Sequence, residues 1–244
     1  MMRGDDVSRL QQSLGSLGFD AGKVDGLFGP DTLRAVLDFQ RNRGMAEDGF
    51  AGREVVEELL LMSKATDKPG REAVREHEWI DSLPQPITGA RIYVDPDRGE
   101  ASTPDATWSA GTRLTSDLKR SGARVLLSRS VDTSPNERFR AQRANRLDVQ
   151  VIVSITVPHD DVENVFYFGT PLSTSDAGKA IAHHIAARLG IPALPRAVPI
   201  LKETRSPAVV VAVVTPSAET GSVVATAIID LYANGPDEGK DSTE

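Results

Sequence analysis

Residues 207–214 read PAVVVAVV and residues 149–156 read VQVIVSIT, two short runs dominated by Val and Ile. A strand of that kind needs cover on both sides, which is the situation of a central strand in a parallel sheet. Further strands are expected at 91–94 (RIYV), 123–128 (ARVLLS) and 163–168 (ENVFYF). Helical periodicity fills the intervals at 106–121, 136–147, 174–189 and 217–233. The alternation predicts an α/β domain over 91–233, a mainly parallel sheet with helices on both faces.

The N-terminal part obeys a different period. Val7, Leu10, Leu14 and Leu17 share one helical face, which Gly18 ends. A second helix follows Gly29-Pro30-Asp31, with proline in the first turn and an acid near the positive end of the helix dipole. A third carries Val55, Val56, Leu59 and Leu60. The connectors VDGLFGPDT and EDGFAGREV repeat one plan, with Asp25-Gly26 and Asp48-Gly49 as tight turns. Residues 3–62 are therefore expected to form a small three-helix domain, with Phe19, Phe28, Phe39 and Phe50 building its core. Residues 63–90 read as a charged, Pro- and Gly-containing linker with one short helix near Glu72–Trp79, and His77 there is expected to face solvent. Residues 234–244 read as an acidic disordered tail.

Charge narrows the function classes. A net charge of −7 argues against general nucleic-acid or anionic-membrane binding, both of which need a basic face. No run approaches the roughly 18 apolar residues of a membrane span, so membrane insertion is not expected. The absence of cysteine excludes disulfides and thiolate ligands. The start MMRGDDVSRLQQ shows no apolar signal-peptide core, from which a cytoplasmic location is expected unless an upstream segment is missing.

The segments VSRLQQSLGSLGF, VDGLFGPDTLRAVLDFQRNRGM and DGFAG together resemble the peptidoglycan-binding three-helix module found on cell-wall hydrolases. Residues 91–232 resemble a zinc-dependent N-acetylmuramoyl-L-alanine amidase domain, through IYVDPDRGE, GARVLLSRSVDTSPNERFRAQRANRLDVQVIVSI, VFYFGTP and SPAVVVAVV in that order. The resemblance implies a histidine closing the first strand, a glutamate on the next helix, a histidine after the Ser-Ile pair of the third strand and a catalytic glutamate ending the last. The corresponding residues here are Arg98, Thr103, Thr156 and Ala212. Arginine stays protonated and offers no lone pair, threonine is a poor zinc ligand, and alanine can neither bind metal nor take a proton. The family's reaction is expected to be absent, with no cofactor and zinc only if the site has been rebuilt, for example from Glu100 and His159. Glu219, after the last strand, reads as a loop carboxylate, and of His183 and His184, on the helix after the fourth strand, one is expected to face the sheet and the other solvent.

Arg98 sits in a loop above the sheet, where its guanidinium suits an anion, and Arg129 and Arg138 either join it or anchor loops, as does Asn145. The combination of the Asp-Pro-x-Arg-Gly loop, Trp108 and VFYFGTP also resembles a narrower group, the actinobacterial CwlM-type amidase-like regulators of peptidoglycan precursor synthesis. That group usually carries two binding repeats where this chain has one. The resemblance implies a regulatory protein that binds peptidoglycan, its precursors or a protein of the precursor pathway, and is controlled by phosphorylation. Ser242 and Thr243 are candidate phosphosites. The other readings are an active divergent amidase and a wall-binding module on an inert scaffold.

Overall fold

The computed structural model describes residues 4–63, 71–98, 106–131, 133, 135–170 and 173–236. Two compact units divide between His77 and Glu78.

In the first unit, α1 (Asp5–Ser16), α2 (Pro30–Arg43) and α3 (Arg53–Ser63) close on Leu14, Val36, Phe39 and Leu59. Phe19 meets Phe39 edge to face at 5.4 Å between ring centroids. The two connectors are built alike. The buried Gln11 side chain donates to Asp25 Oδ1 (2.9 Å) and Leu27 O (3.0 Å) and accepts from Gly26 N (3.0 Å). Gln40 donates to Asp48 Oδ1 (2.7 Å) and Phe50 O (3.3 Å) and accepts from Gly49 N (2.8 Å). Each turn needs a left-handed residue, and Gly26 and Gly49 supply it at φ 71° and 70°. The repeat departs from symmetry at one place. Leu27 is buried, whereas Phe50 is 65% exposed and does not build the core expected of it, because its turn carries it outward.

The second unit is built on one six-stranded sheet in the order β2-β1-β3-β6-β4-β5. The strands are β1 (Arg91–Pro96), β2 (Arg124–Leu127), β3 (Val151–Thr156), β4 (Asn164–Phe168), β5 (Ala193–Arg196) and β6 (Ala208–Ala212). β2, β1, β3 and β6 run parallel; β4 is antiparallel to β6 and parallel to β5. Successive side chains alternate between two cores. Ile92, Val94, Val153, Ile155, Val209 and Val211 face α5 (Ala106–Arg120), α7 (Asp176–Leu189) and α9 (Ala218–Asn234). Tyr93, Ile152 and Val210 face α6 (Glu137–Arg146) and the short α8 (Pro199–Lys202). The sheet is thus mainly parallel and covered on both faces.

Helix starts follow local chemistry. Asn136 caps α6 by accepting from Phe139 N, Ser175 caps α7 by accepting from Gly178 N, and Ser217 with Thr220 forms a capping box on α9. Two features differ from expectation. The segment 63–90 contains α4 (Arg71–Asp81), and Trp79, Leu83, Ile87 and Ala90 pack into the α5/α7/α9 core, so its later half is part of the folded unit. β5 was not anticipated, because ALPR has no alternation and contains Pro195, which an edge strand tolerates.

Candidate functional site

The C-terminal ends of β1, β3 and β6 meet at one edge of the sheet. Asp95 lies in register with Ser154, Pro96 with Ile155, and Thr156 with Ala212. Asp97 N donates to Ile155 O at 2.8 Å, which carries the β1–β3 pairing to the residue before Arg98. Arg98, Thr156 and Ala212 therefore stand at the ends of three neighbouring strands. Ala212 is buried, and Arg98 and Thr156 are half-buried. Thr103 and Glu100 lie outside the described residues, as do Ser242 and Thr243.

These three positions do not fit the zinc ion that the family resemblance implies. A guanidinium has no lone pair, a methyl group has no donor, and the Thr156 hydroxyl is a weak ligand whose near contact is Val157 O at 3.5 Å. Among the described residues no group of three or more histidines, aspartates and glutamates gathers as a metal site. His159 is exposed on the loop after β3, and Glu219 is exposed in the first turn of α9. His183 is exposed with its ring against Tyr167, while His184 is half-buried on the same helix.

Beneath the strand ends lies a buried ionic group that sequence reading did not single out. Arg140, on α6, places Nε 2.9 Å from Asp95 Oδ1 and Nη1 2.9 Å from Asp97 Oδ1. Nη1 also donates to Pro135 O at 2.8 Å, and Tyr93 donates its hydroxyl to Arg140 O at 3.3 Å. Ser154 completes the group by donating to Asp95 Oδ2 at 2.9 Å. Burial pushes the Asp95 carboxyl above the ordinary carboxylate range, with Arg140 and the Ser128 and Ser154 hydroxyls acting against it. Burial works against the Arg140 charge as well, but Asp95 and Asp97 hold its pKa above the ordinary value. Glu137, one turn earlier, is also raised by burial while accepting from Ile200 N at 3.0 Å. The readable signal was the Arg-x-x-x-Ala-Asn helix, whose Arg140 faces the same way as the buried Ala141 and Ala144.

Arg129, at the end of β2, is 4% exposed. Its Nε donates to Pro96 O at 2.5 Å and its Nη1 to Ser130 O (3.2 Å) and Val131 O (3.3 Å). The guanidinium lies over the Trp108 ring, 5.0 Å from its centroid. Nη2 is buried without a hydrogen-bond partner. Burial lowers the Arg129 pKa below the ordinary arginine value, Asp95 acts the other way, and Arg98 adds to the lowering, so the two guanidinium groups feel one another. Arg138 is directed elsewhere, with Nε 3.1 Å from Glu203 Oε1. Asn145 anchors the same loop, donating to Glu203 O at 2.7 Å and accepting from Arg205 N at 2.9 Å. The strand-end site thus holds Arg98 and Arg129 together and leaves Arg138 out.

Known proteins place both units. The family described as "Putative peptidoglycan binding domain" matches residues 3–59. The N-acetylmuramoyl-L-alanine amidase CwlM of Mycobacterium tuberculosis is 30% identical over 260 aligned positions, covering 95% of this chain and 64% of CwlM, so the chain spans less than two thirds of that relative. The spore cortex-lytic enzyme of Oceanobacillus iheyensis is 45% identical over 60 residues, 25% of this chain and 22% of that protein. Among solved structures, the Mycobacterium smegmatis amidase Ami1 aligns with a TM-score of 0.49 at 22% identity, over 59% of this chain and 95% of that one. The Nostoc punctiforme amidase AmiC2 aligns with a TM-score of 0.47 at 21% identity, over 59% and 96%. A match to CwlM over 95% of this chain and a peptidoglycan-binding match at the front agree with the sheet just described: the chain is a CwlM-like, N-acetylmuramoyl-L-alanine amidase-like protein with an N-terminal peptidoglycan-binding domain.

Proposed function

We propose that this protein is a non-hydrolytic member of its kind, binding peptidoglycan or its precursors and acting as a regulator in peptidoglycan metabolism through a protein of the precursor pathway. One observation carries the reading: the ends of β1, β3 and β6 present Arg98, Thr156 and Ala212, where the family resemblance expects metal donors and a proton acceptor. A hydrolase of this type must position a water, remove its proton and stabilise the oxyanion that forms. Ala212 has no atom that accepts a proton, and the nearby carboxylates, Asp95 and Asp97, are held by Arg140. What the site does supply is fixed positive charge on a rigid sheet, which suits holding a ligand. The N-terminal domain supports a wall-related ligand through its family match, and Phe50 offers an exposed aromatic face there.

The test is release of stem peptide from purified muropeptides by the full chain, with zinc added and with a chelator present. The proposal expects no release in either condition. Zinc-dependent release abolished by His159→Ala would replace it with a rebuilt amidase site.

A further inference from the structure

We propose that Arg98 and Arg129 form a receptor for a phosphoryl group at the strand ends of the amidase-like domain, an inference that rests on the non-hydrolytic reading of that site. Two observations support it independently of the family match. Arg129 is almost wholly buried, three of its contacts are fixed on Pro96, Ser130 and Val131, and Nη2 is left with N–H groups that meet no acceptor. A buried donor without a partner carries a desolvation penalty that a ligand oxygen removes. Arg98 lies in the same loop, two residues beyond the Pro96 carbonyl that Arg129 holds, and is half-buried.

The surrounding charges favour an anion over a metal. Asp95 and Asp97 both face this edge, and both are bound to the one Arg140 side chain. Glu137 adds a third acid to the group and Arg143, which donates to Ser128 O at 3.1 Å, a fourth arginine, so with all three carboxylates ionised the group stays positive. Trp108 closes one side of the Arg129 guanidinium and fixes its plane. A guanidinium so held is a preorganised fork for oxygen.

The number of oxygens separates phosphoryl from carboxylate. A carboxylate has two oxygens and is satisfied by the bidentate fork of Arg98 alone. A phosphoryl group has three terminal oxygens and accepts from Arg98 at the rim and from Arg129 Nη2 inside at the same time. Dependence on both arginines is therefore the signature of the proposed ligand class. The phosphoryl group either is free phosphate or terminates a larger molecule.

The experiment is calorimetric titration of the full chain at low ionic strength with inorganic phosphate, methyl phosphate and acetate, since exposed charge interactions weaken with salt. Phosphate is expected to bind more tightly than acetate, and Arg98→Gln and Arg129→Lys are each expected to weaken it by about tenfold or more. Arg138→Gln, whose side chain is engaged with Glu203, is expected to leave phosphate binding unchanged. Methyl phosphate binding as well as phosphate assigns the phosphoryl group to a larger molecule; binding of phosphate alone assigns it to the free anion. The inference is overturned if acetate binds as tightly as phosphate, if Arg98→Gln binds phosphate like the wild type, or if Arg138→Gln weakens it equally. Arg98→Gln keeps the test valid should Arg129→Lys fail to fold, because Arg98 is half-buried in the loop after β1, outside the sheet. Absence of phosphate binding with no amidase activity defeats this inference alone, whereas zinc-dependent amidase activity defeats the reading beneath it.

Discussion

Single side chains decide what this site can do. At the end of β1 the residue is a permanent cation, and the end of β6 carries a methyl group buried at 1% exposure. The residue on which the strand ends most depend is Arg140, which ties Asp95, Asp97 and the Pro135 carbonyl together. Removing one partner of a buried ion pair strands the other, so Arg140→Met is expected to cost about 3–5 kcal/mol, read from denaturant unfolding. Tyr232 offers a pH test. Burial raises its hydroxyl to about 12, with the Trp79 side chain acting slightly against it. A raised acid keeps its proton in the folded chain while the unfolded chain ionises, so its contribution is full below pH 10 and is lost as pH rises through 12. Between those values wild type is expected to lose about 2–3 kcal/mol relative to Tyr232→Phe, measured as the difference in unfolding free energy. The sequence marks Arg98, Thr156 and Ala212 because the family resemblance expects a chemically distinctive residue at each, and the structure sets the three at the ends of neighbouring strands. Arg140 was not singled out, because a helix arginine with a buried acid across the sheet looks like a solvated charge until the strands are paired.

At the scale of elements, most of the sheet and the long helices were legible. β3 and β6 announce themselves by runs dominated by Val and Ile, and the helices by their caps and period. β5 escaped because a four-residue edge strand with a proline has no periodic signal. Leu83, Ile87 and Ala90 escaped because polar and proline neighbours mask them, although the core takes them in. Helix packing supplies a sharp test at Gly221, where an added Cβ would clash with the Ala110 carbonyl oxygen across the α5–α9 contact. The obstruction is backbone and cannot rotate away, so Gly221→Ala is expected to cost about 1–3 kcal/mol, seen as a melting temperature lowered by roughly 5 °C. In the first unit the repeated turns rest on Gln11 and Gln40. Gln11 also donates to Thr32, so Gln11→Ala is expected to destabilise that unit more than Gln40→Ala. Hydrogen exchange at residues 24–29 and 48–52 in the intact chain distinguishes the two; a larger effect from Gln40→Ala would contradict the hydrogen-bond account.

For the whole molecule, a peptidoglycan-binding-type domain and an amidase-like sheet occur in one chain, and the proposed non-hydrolytic role rests on Arg98, Thr156 and Ala212 at the strand ends. The full chain is expected to sediment with insoluble peptidoglycan, and Phe50→Ala to reduce that fraction severalfold, since Phe50 is an exposed aromatic of the repeat. Unchanged sedimentation would place the binding face elsewhere on the domain. The central claim, that the strand ends no longer form a zinc centre, is tested most directly by metal content. Purified chain is dialysed against excess zinc, then against metal-free buffer, and bound zinc is measured by atomic emission. Zinc well below one equivalent, unchanged in His159→Ala, is the predicted result. One tightly held zinc per chain, lost in His159→Ala, would contradict it.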